Sequence, residues 1–421
     1  MKLPFRLHAP LLTPLAKDDL AWHPRGVVAI DEHGTILFRG AEDALPDSLT
    51  SLPFEQLNDI LIPGLIDAHV HLPQYDCRGK FGASLLEWLD RFIYPEEARF
   101  ADEAVARDIA RRFFAGLLRA GTTTAMVYAT VHERATHIAF EEAERSGLRI
   151  IMGNVLMDRE APSDLCVDAG TSIRASENLI DAWHGRGDRL FYAVTPRFAP
   201  TCTPGLLQEA GELATKHGTW VQTHLNETAG EIARVRELFP DARDYTDVYD
   251  RAGLLNERTV LGHNLHTDDT QLGVLRERGC AVVHCPDSNL FLGSGRFPLE
   301  QHAQQGLRIA LGSDVGAGTT LSLFQIMRSM SYVQGRSLHP RIPFYHATLG
   351  GAEALGLGDR IGSLDAGKQA DMIAVHVDRH FPRGKTLDQL SSTEIASALV
   401  YRTQESAVRR VWLGGQETPL N

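Results

Sequence analysis

Pro63-Gly64-Leu65-Ile66-Asp67-Ala68-His69-Val70-His71-Leu72-Pro73-Gln74, preceded by Leu61-Ile62, reads as a buried strand that ends on two histidines separated by one valine. Residues i and i+2 of a strand face the same side, roughly 7 Å apart at Cα, so both imidazoles can converge on one ion. Taken alone, the pattern describes two satisfied histidines equally well. Working outward, the question is whether the rest of the chain supplies further ligands.

With 421 residues the chain is long enough for a large barrel plus a smaller companion domain. A net charge of −12 and the absence of a basic run argue against a phosphate-backbone partner, since nucleic acid rewards clustered Lys and Arg. A neutral or cationic small molecule fits better. The cysteines, Cys77, Cys166, Cys202, Cys280 and Cys285, are odd in number and form no C-x-x-C pair, which predicts reduced thiols and a cytoplasmic protein. Pro4, His8, Pro10 and Pro14 interrupt the apolar N-terminal stretch, so it does not read as a signal peptide, and no segment approaches the roughly 18 apolar residues of a membrane span.

Short β-like runs at 26–30 and 35–38 flank the turn Asp31-Glu32-His33-Gly34, and 370–377 and 408–413 are β-like at the other end. Both ends are expected to pair into one sheet-based domain. Between them strands alternate with amphipathic helices. Leu85, Leu89 and Phe92 repeat at helical spacing until Pro95, and a longer helix is expected over 102–120. Thr203, Pro204 and Gly218 punctuate another helix. Strands are expected at 65–72, 123–129, 149–156, 190–198, 220–227, 259–265, 281–285 and 308–312. This predicts an α/β chain: a (β/α)8 TIM-like barrel over 63–355, with a small β-sandwich domain built from 1–62 and 356–421.

Active sites of such barrels lie at the C-terminal strand ends. His69 and His71 fall at the end of the first expected strand, Arg197 and Phe198 the fourth, His224 and Glu227 the fifth, His263 the sixth, His284 the seventh and Asp314 the eighth. Singly, His263 reads as a core histidine and Asp314 as a helix cap; their joint placement points to a metal centre. Three neutral imidazoles and a carboxylate suit a borderline divalent ion, zinc first and iron second, with a position left for water. None of Lys2, Lys17, Lys80, Lys216, Lys368 and Lys385 ends an expected barrel strand, so a lysine-bridged pair of ions is disfavoured.

Pro63 to His71, Leu311-Gly312-Ser313-Asp314 and the stretch from Gly362 to Asp371 resemble the signatures of the amidohydrolase superfamily. More narrowly, His71-Leu72-Pro73-Gln74-Tyr75, Leu85-Leu86-Glu87-Trp88-Leu89, Tyr94 to Phe100, Thr195 to Pro200, Thr223 to Glu227 and His284 to Asn289 resemble the guanine deaminase family. The resemblance implies one zinc ion per subunit, with iron as the alternative, held by His69, His71, His224 and Asp314, and a homodimer. It implies that Asp314 accepts a proton from water, His263 orients the resulting hydroxide, and Glu227 shuttles a proton to the ring nitrogen beside the attacked carbon. Gln74 and Arg197 would read the polar edge of the purine and Phe198 would pack on its face, in a reaction that attacks C2 of guanine and leaves xanthine and ammonia.

Glu227 lies three residues past His224, off that strand's face, which places it on the following loop. Trp88 reads as core, His284 either as lining the pocket or as ordering its loop, and 76–84 as a loop able to act as a lid. The alternative substrate is a related ring such as pterin, 8-oxoguanine or a triazine, for which the Gln74 and Arg197 pair is the discriminator. A binuclear cyclic amide hydrolase is opposed by the lysines, an inert scaffold by the intact reactive residues. A base-flipping deaminase is opposed by charge and by the missing Pro-Cys-x-x-Cys motif.

Overall fold

A computed structural model describes residues 1–82, 85–376 and 384–420. The last residue of the expected strand 370–377 and the last two of the loop 76–84 lie outside the described residues.

The barrel strands, numbered in chain order, are β1 (Leu65–His71), β2 (Thr122–Tyr128), β3 (Arg149–Gly153), β4 (Leu190–Pro196), β5 (Trp220–Leu225), β6 (Thr259–His263), β7 (Ala281–His284) and β8 (Arg308–Leu311). They form one parallel sheet in sequence order from β8 back to β1. Two backbone hydrogen bonds close the ring just beyond β8: Asp314 N–H donates to His69 O at 2.8 Å and His71 N–H donates to Val315 O at 3.1 Å. Register sets the mouth. His224 on β5 pairs with Gly262 on β6, Leu225 with His263, and His284 on β7 with Leu311 on β8, so reactive side chains arrive at one level.

Both chain ends supply a second, mixed sheet of eight strands, as expected. Its order runs from Gln416–Thr418 through Val408–Leu413, Met372–Val375, Ile60–Pro63, Phe5–Ala16 and Asp19–Ile30 to Ile36–Ala41, with Phe54–Gln56 beside Phe5–Ala16. Phe5, Leu7, Leu11, Val28, Ile30, Met372 and Trp412 form its buried core. The long strand Phe5–Ala16 escapes a propensity reading because Pro10 and Pro14 sit in it. Register shifts between Ala9 and Leu11 and between Pro14 and Ala16 accommodate them, since proline is tolerated where the ladder is already broken.

A second difference concerns Pro95, which does not stop the helix begun at Leu85. The chain runs from Leu85–Trp88 through a wider turn, Leu89–Ile93, into Tyr94–Ala98, with Pro95 in the first turn of that last segment. Proline is harmless there, because its missing N–H is an orphan at a helix start anyway. The helix expected over 102–120 is observed as Glu103–Arg119.

Contacts divide the chain into two compact units, Met1–Asp67 with Ala115–Thr124 and Ser322–Asn421, and Ala68–Phe114 with Ala125–Leu321. Every residue of the site described below belongs to the second. Among the described residues no helix is long and apolar enough to cross a membrane.

The helix Pro204–His217 follows its punctuation. Thr203 Oγ accepts from Leu206 N–H, and Gly218 takes the left-handed conformation (φ +62°) that ends it. Thr203→Ala is expected to cost about 1 kcal/mol in urea unfolding; an unchanged midpoint would show that the cap is not a significant restraint.

Candidate active site

His69 and His71 occupy one face of β1, as alternate strand residues must. Their Nε2 atoms lie 3.3 Å apart, each 3.3 Å from Asp314 Oδ1, and His224 Nε2 lies 3.2 Å from His71 Nε2. His263 joins from β6, with Nε2 3.8 Å from Asp314 Oδ2 and 3.6 Å from Glu227 Oε2. One grouping of possible ligands by mutual distance comprises His69, His224, His263 and Asp314, all within 4.8 Å. His71 Nε2 lies 3.2–3.3 Å from donor atoms of His69, His224 and Asp314, while His263 Nδ1 is engaged by Asn289 Oδ1 at 2.9 Å.

Two glycines make room for this cluster. A Cβ on Gly262 would stand 2.6 Å from His69 Cε1, and one on Gly312 2.7 Å from His69 Cβ. Tyr128, at the end of β2, packs its ring on His69, His71 and His224 at centroid distances of 4.8, 4.4 and 4.8 Å. His263 (φ +69°) and Asp314 (φ +48°) hold left-handed backbone conformations. His and Asp enter that region more readily than most residues, at about 1–3 kcal/mol each, and the surrounding packing offsets the cost.

Electrostatics separate the cluster into two kinds of group. Burial pushes the His69 and His224 imidazoles below their ordinary value and His71 down to about 3, so all three are neutral donors at pH 7. Burial alone raises Asp314, but hydrogen bonds and the field of His69, followed by His71 and His263, outweigh it and hold the carboxyl well below the usual range. Burial raises Glu227, against the pull of His263. His263, which burial lowers, is carried above its ordinary value by Glu227 and Asp314. The Glu227 and His263 pair is therefore the part of the site suited to holding a proton near neutral pH.

His71, Gln74, Arg197, Phe198, His224, Glu227, His263 and Asp314 all line one pocket at the strand ends, with Leu85, Trp88, Leu89, Leu292 and Ala317 as its apolar wall. His69 supports it from beneath through the contacts above. Glu227 stands past the end of β5, before the helix Ala229–Leu238 that Thr228 caps. Trp88 belongs to the buried core and also faces the pocket, because the helical run continues past Pro95 and packs over the mouth. His284 is not among the residues lining the pocket: its ring stacks on Phe297 at 4.6 Å and its carbonyl receives the Gly312 N–H.

Several residues that the sequence reading passed over prove to hold the site. Ser288 donates to Asp314 Oδ2, Asn289 engages His263, and Ser294 donates to Glu227 Oε1 at 2.8 Å, all from one segment following β7. Glu97 forms a buried ion pair with Arg197 at 2.6 Å and accepts from Gln74. Ser288, Asn289 and Glu97 lay inside family-like stretches, but nothing in their local pattern distinguishes a supporting side chain from a surface one.

The amidohydrolase family model matches residues 60–418. A probable guanine deaminase of Deinococcus radiodurans is 40% identical over 423 residues, 97% of this chain and 96% of its own. Among solved structures, Escherichia coli guanine deaminase superposes with a TM-score of 0.91 at 33% identity, covering 99% of both chains. Guanine deaminase from C. acetobutylicum with bound guanine in the active site gives 0.92 at 28% identity, covering 98% of this chain and 99% of that one. With matches of this extent and a pocket of this construction, the chain belongs to the amidohydrolase family.

Proposed function

We propose that this protein hydrolyses guanine to xanthine and ammonia, using one zinc ion per chain with iron as the alternative. The observation that carries the reading is the set His69, His71, His224 and Asp314, in which His71 Nε2 stands 3.2–3.3 Å from a donor atom of each of the other three, beside the Gln74, Arg197 and Phe198 wall. Donors this close together would converge on one divalent ion, His69, His71 and His224 as imidazoles and Asp314 as a carboxylate. Bound there, a divalent ion makes water acidic enough to furnish hydroxide near pH 7.

The residues divide the remaining work. Asp314 accepts the proton that water gives up, and His263, between Asp314 and Glu227, orients the attacking oxygen. Glu227 delivers a proton to the ring nitrogen beside C2. The water oxygen bonds to C2, the C2–N bond of the exocyclic amine breaks as the amine takes up the proton held by Asp314, the new hydroxyl returns a proton to Glu227, and ammonia leaves. Gln74 and Arg197 read the polar edge of the ring while Phe198 packs on its face. The barrel runs from 63 to 355, with 1–62 and 356–421 forming the companion domain. No disulfide joins Cys77, Cys166, Cys202, Cys280 and Cys285, which supports a reducing, cytoplasmic setting.

Glu231 fixes where Glu227 stands. Its Oε2 accepts the N–H groups of Glu227 at 2.9 Å and Thr228 at 3.2 Å, closing a capping box, and its Oε1 accepts from Tyr245 Oη at 2.8 Å. Burial pushes its carboxyl up to about 7 from the ordinary 4.5. A raised carboxyl stabilises the fold fully below about pH 4.5 and loses that contribution as pH rises through about 7.

Three outcomes are expected. In an ammonia-release screen of zinc-loaded protein over guanine, 8-oxoguanine, pterin, adenine and cytosine, guanine is turned over best; a preference for another ring would overturn the substrate while leaving the metal centre. Glu227→Gln keeps its metal, measured by atomic spectroscopy, yet loses roughly 10²–10⁴-fold in kcat; normal turnover would reject the shuttle. Between pH 5 and 8, urea unfolding of the wild type loses more stability than that of Glu231→Gln, and parallel pH profiles would sink this assignment.

A further inference from the structure

Gln74 and Arg197 share one partner behind the pocket wall. Gln74 Nε2 donates to Glu97 Oε1 at 3.1 Å, and Arg197 Nη1 donates to both Glu97 oxygens at 2.9 and 2.6 Å. All three residues are buried, at 3–4% exposure, and Glu97 does not itself line the pocket. Gln74 is held at its other end as well, since its Oε1 accepts the Gly316 N–H at 3.0 Å. A backbone N–H can only donate and a carboxylate can only accept, so turning the Gln74 amide over would set donor against donor and acceptor against acceptor. Gly316 can approach this closely because it carries no side chain: a Cβ there would stand 2.8 Å from Gln74 O and 3.3 Å from Gln74 Cβ.

What remains for a ligand is the second N–H of Gln74 and the N–H groups of Arg197 not engaged by Glu97. We propose that Glu97 is a specificity-determining positioning residue: by accepting from Gln74 and Arg197 together, it makes both present donors to the ring's polar edge. The pocket thereby takes purines with a 6-oxo acceptor and turns away those with a 6-amino donor. A 6-amino group facing these donors leaves buried polar groups unpaired, the situation in which binding sites discriminate most strongly. This inference rests on the guanine reading above.

The test is kcat/KM for guanine and for 2,6-diaminopurine, which share the 2-amino group under attack and differ at position 6. Wild type prefers guanine. In Glu97→Gln the new amide offers N–H as well as C=O, the Gln74 orientation is no longer enforced, and the guanine preference is expected to fall by about tenfold or more. Glu97→Asp, which keeps an acceptor, retains most of the preference. Equal losses on both substrates, with the ratio unchanged, would mean a purely structural role and overturn the proposal. Should Glu97→Gln not fold, Gln74→Met reads the same effect: it removes the amide through which Glu97 acts and must also erode the preference, and an undiminished ratio there rejects the inference. Release of ammonia from neither purine by zinc-loaded wild type would instead bring down the guanine reading, and this inference with it.

Discussion

A buried carboxylate that must be compensated governs this molecule. Asp314 lies at the base of the mouth, 5% exposed, where an unpaired charge would be severely penalised. Compensation comes from the ring nitrogens of His69 and His71, each 3.3 Å from Oδ1, and from the Ser288 hydroxyl on Oδ2. The same arrangement holds the Asp314 carboxyl well below the usual carboxylate range, while burial lowers the two imidazoles.

Around this centre the polar groups are satisfied in layers. One short segment after β7 steadies Asp314, His263 and Glu227 through Ser288, Asn289 and Ser294. Glu231 receives the backbone of Glu227, and Glu97 ties Gln74 to Arg197. Side chains that line the pocket are thus restrained by side chains that do not.

Much of this could be read from the chain before any coordinates. Strand-and-helix alternation exposed the barrel, and His69, His71, His224, His263 and Asp314 stood out because ionisable residues rarely end apolar strands by accident. The misses have physical reasons. The strand Phe5–Ala16 hides behind prolines that its bulges absorb, and Pro95 reads as a stop although a helix start tolerates it. Glu97, Ser288, Asn289 and Ser294 act through long-range hydrogen bonds, such as the one joining Ser294 to Glu227, and no local periodicity encodes a partner so distant in sequence.

The seam of the barrel has a consequence for how the protein comes to be. The bonds between Asp314 N–H and His69 O and between His71 N–H and Val315 O join the first strand to the segment just after the last, and three of the four residues they join, His69, His71 and Asp314, belong to the cluster at the mouth. Closing so long a stretch of chain is among the least local events of folding, and its entropy must be met before any reward arrives. A chain folded through β7 alone would carry His69, His71, His224 and His263 but not Asp314. The cluster is therefore complete only once the ring is closed, and whatever binds it also draws the two ends of the barrel together by mass action.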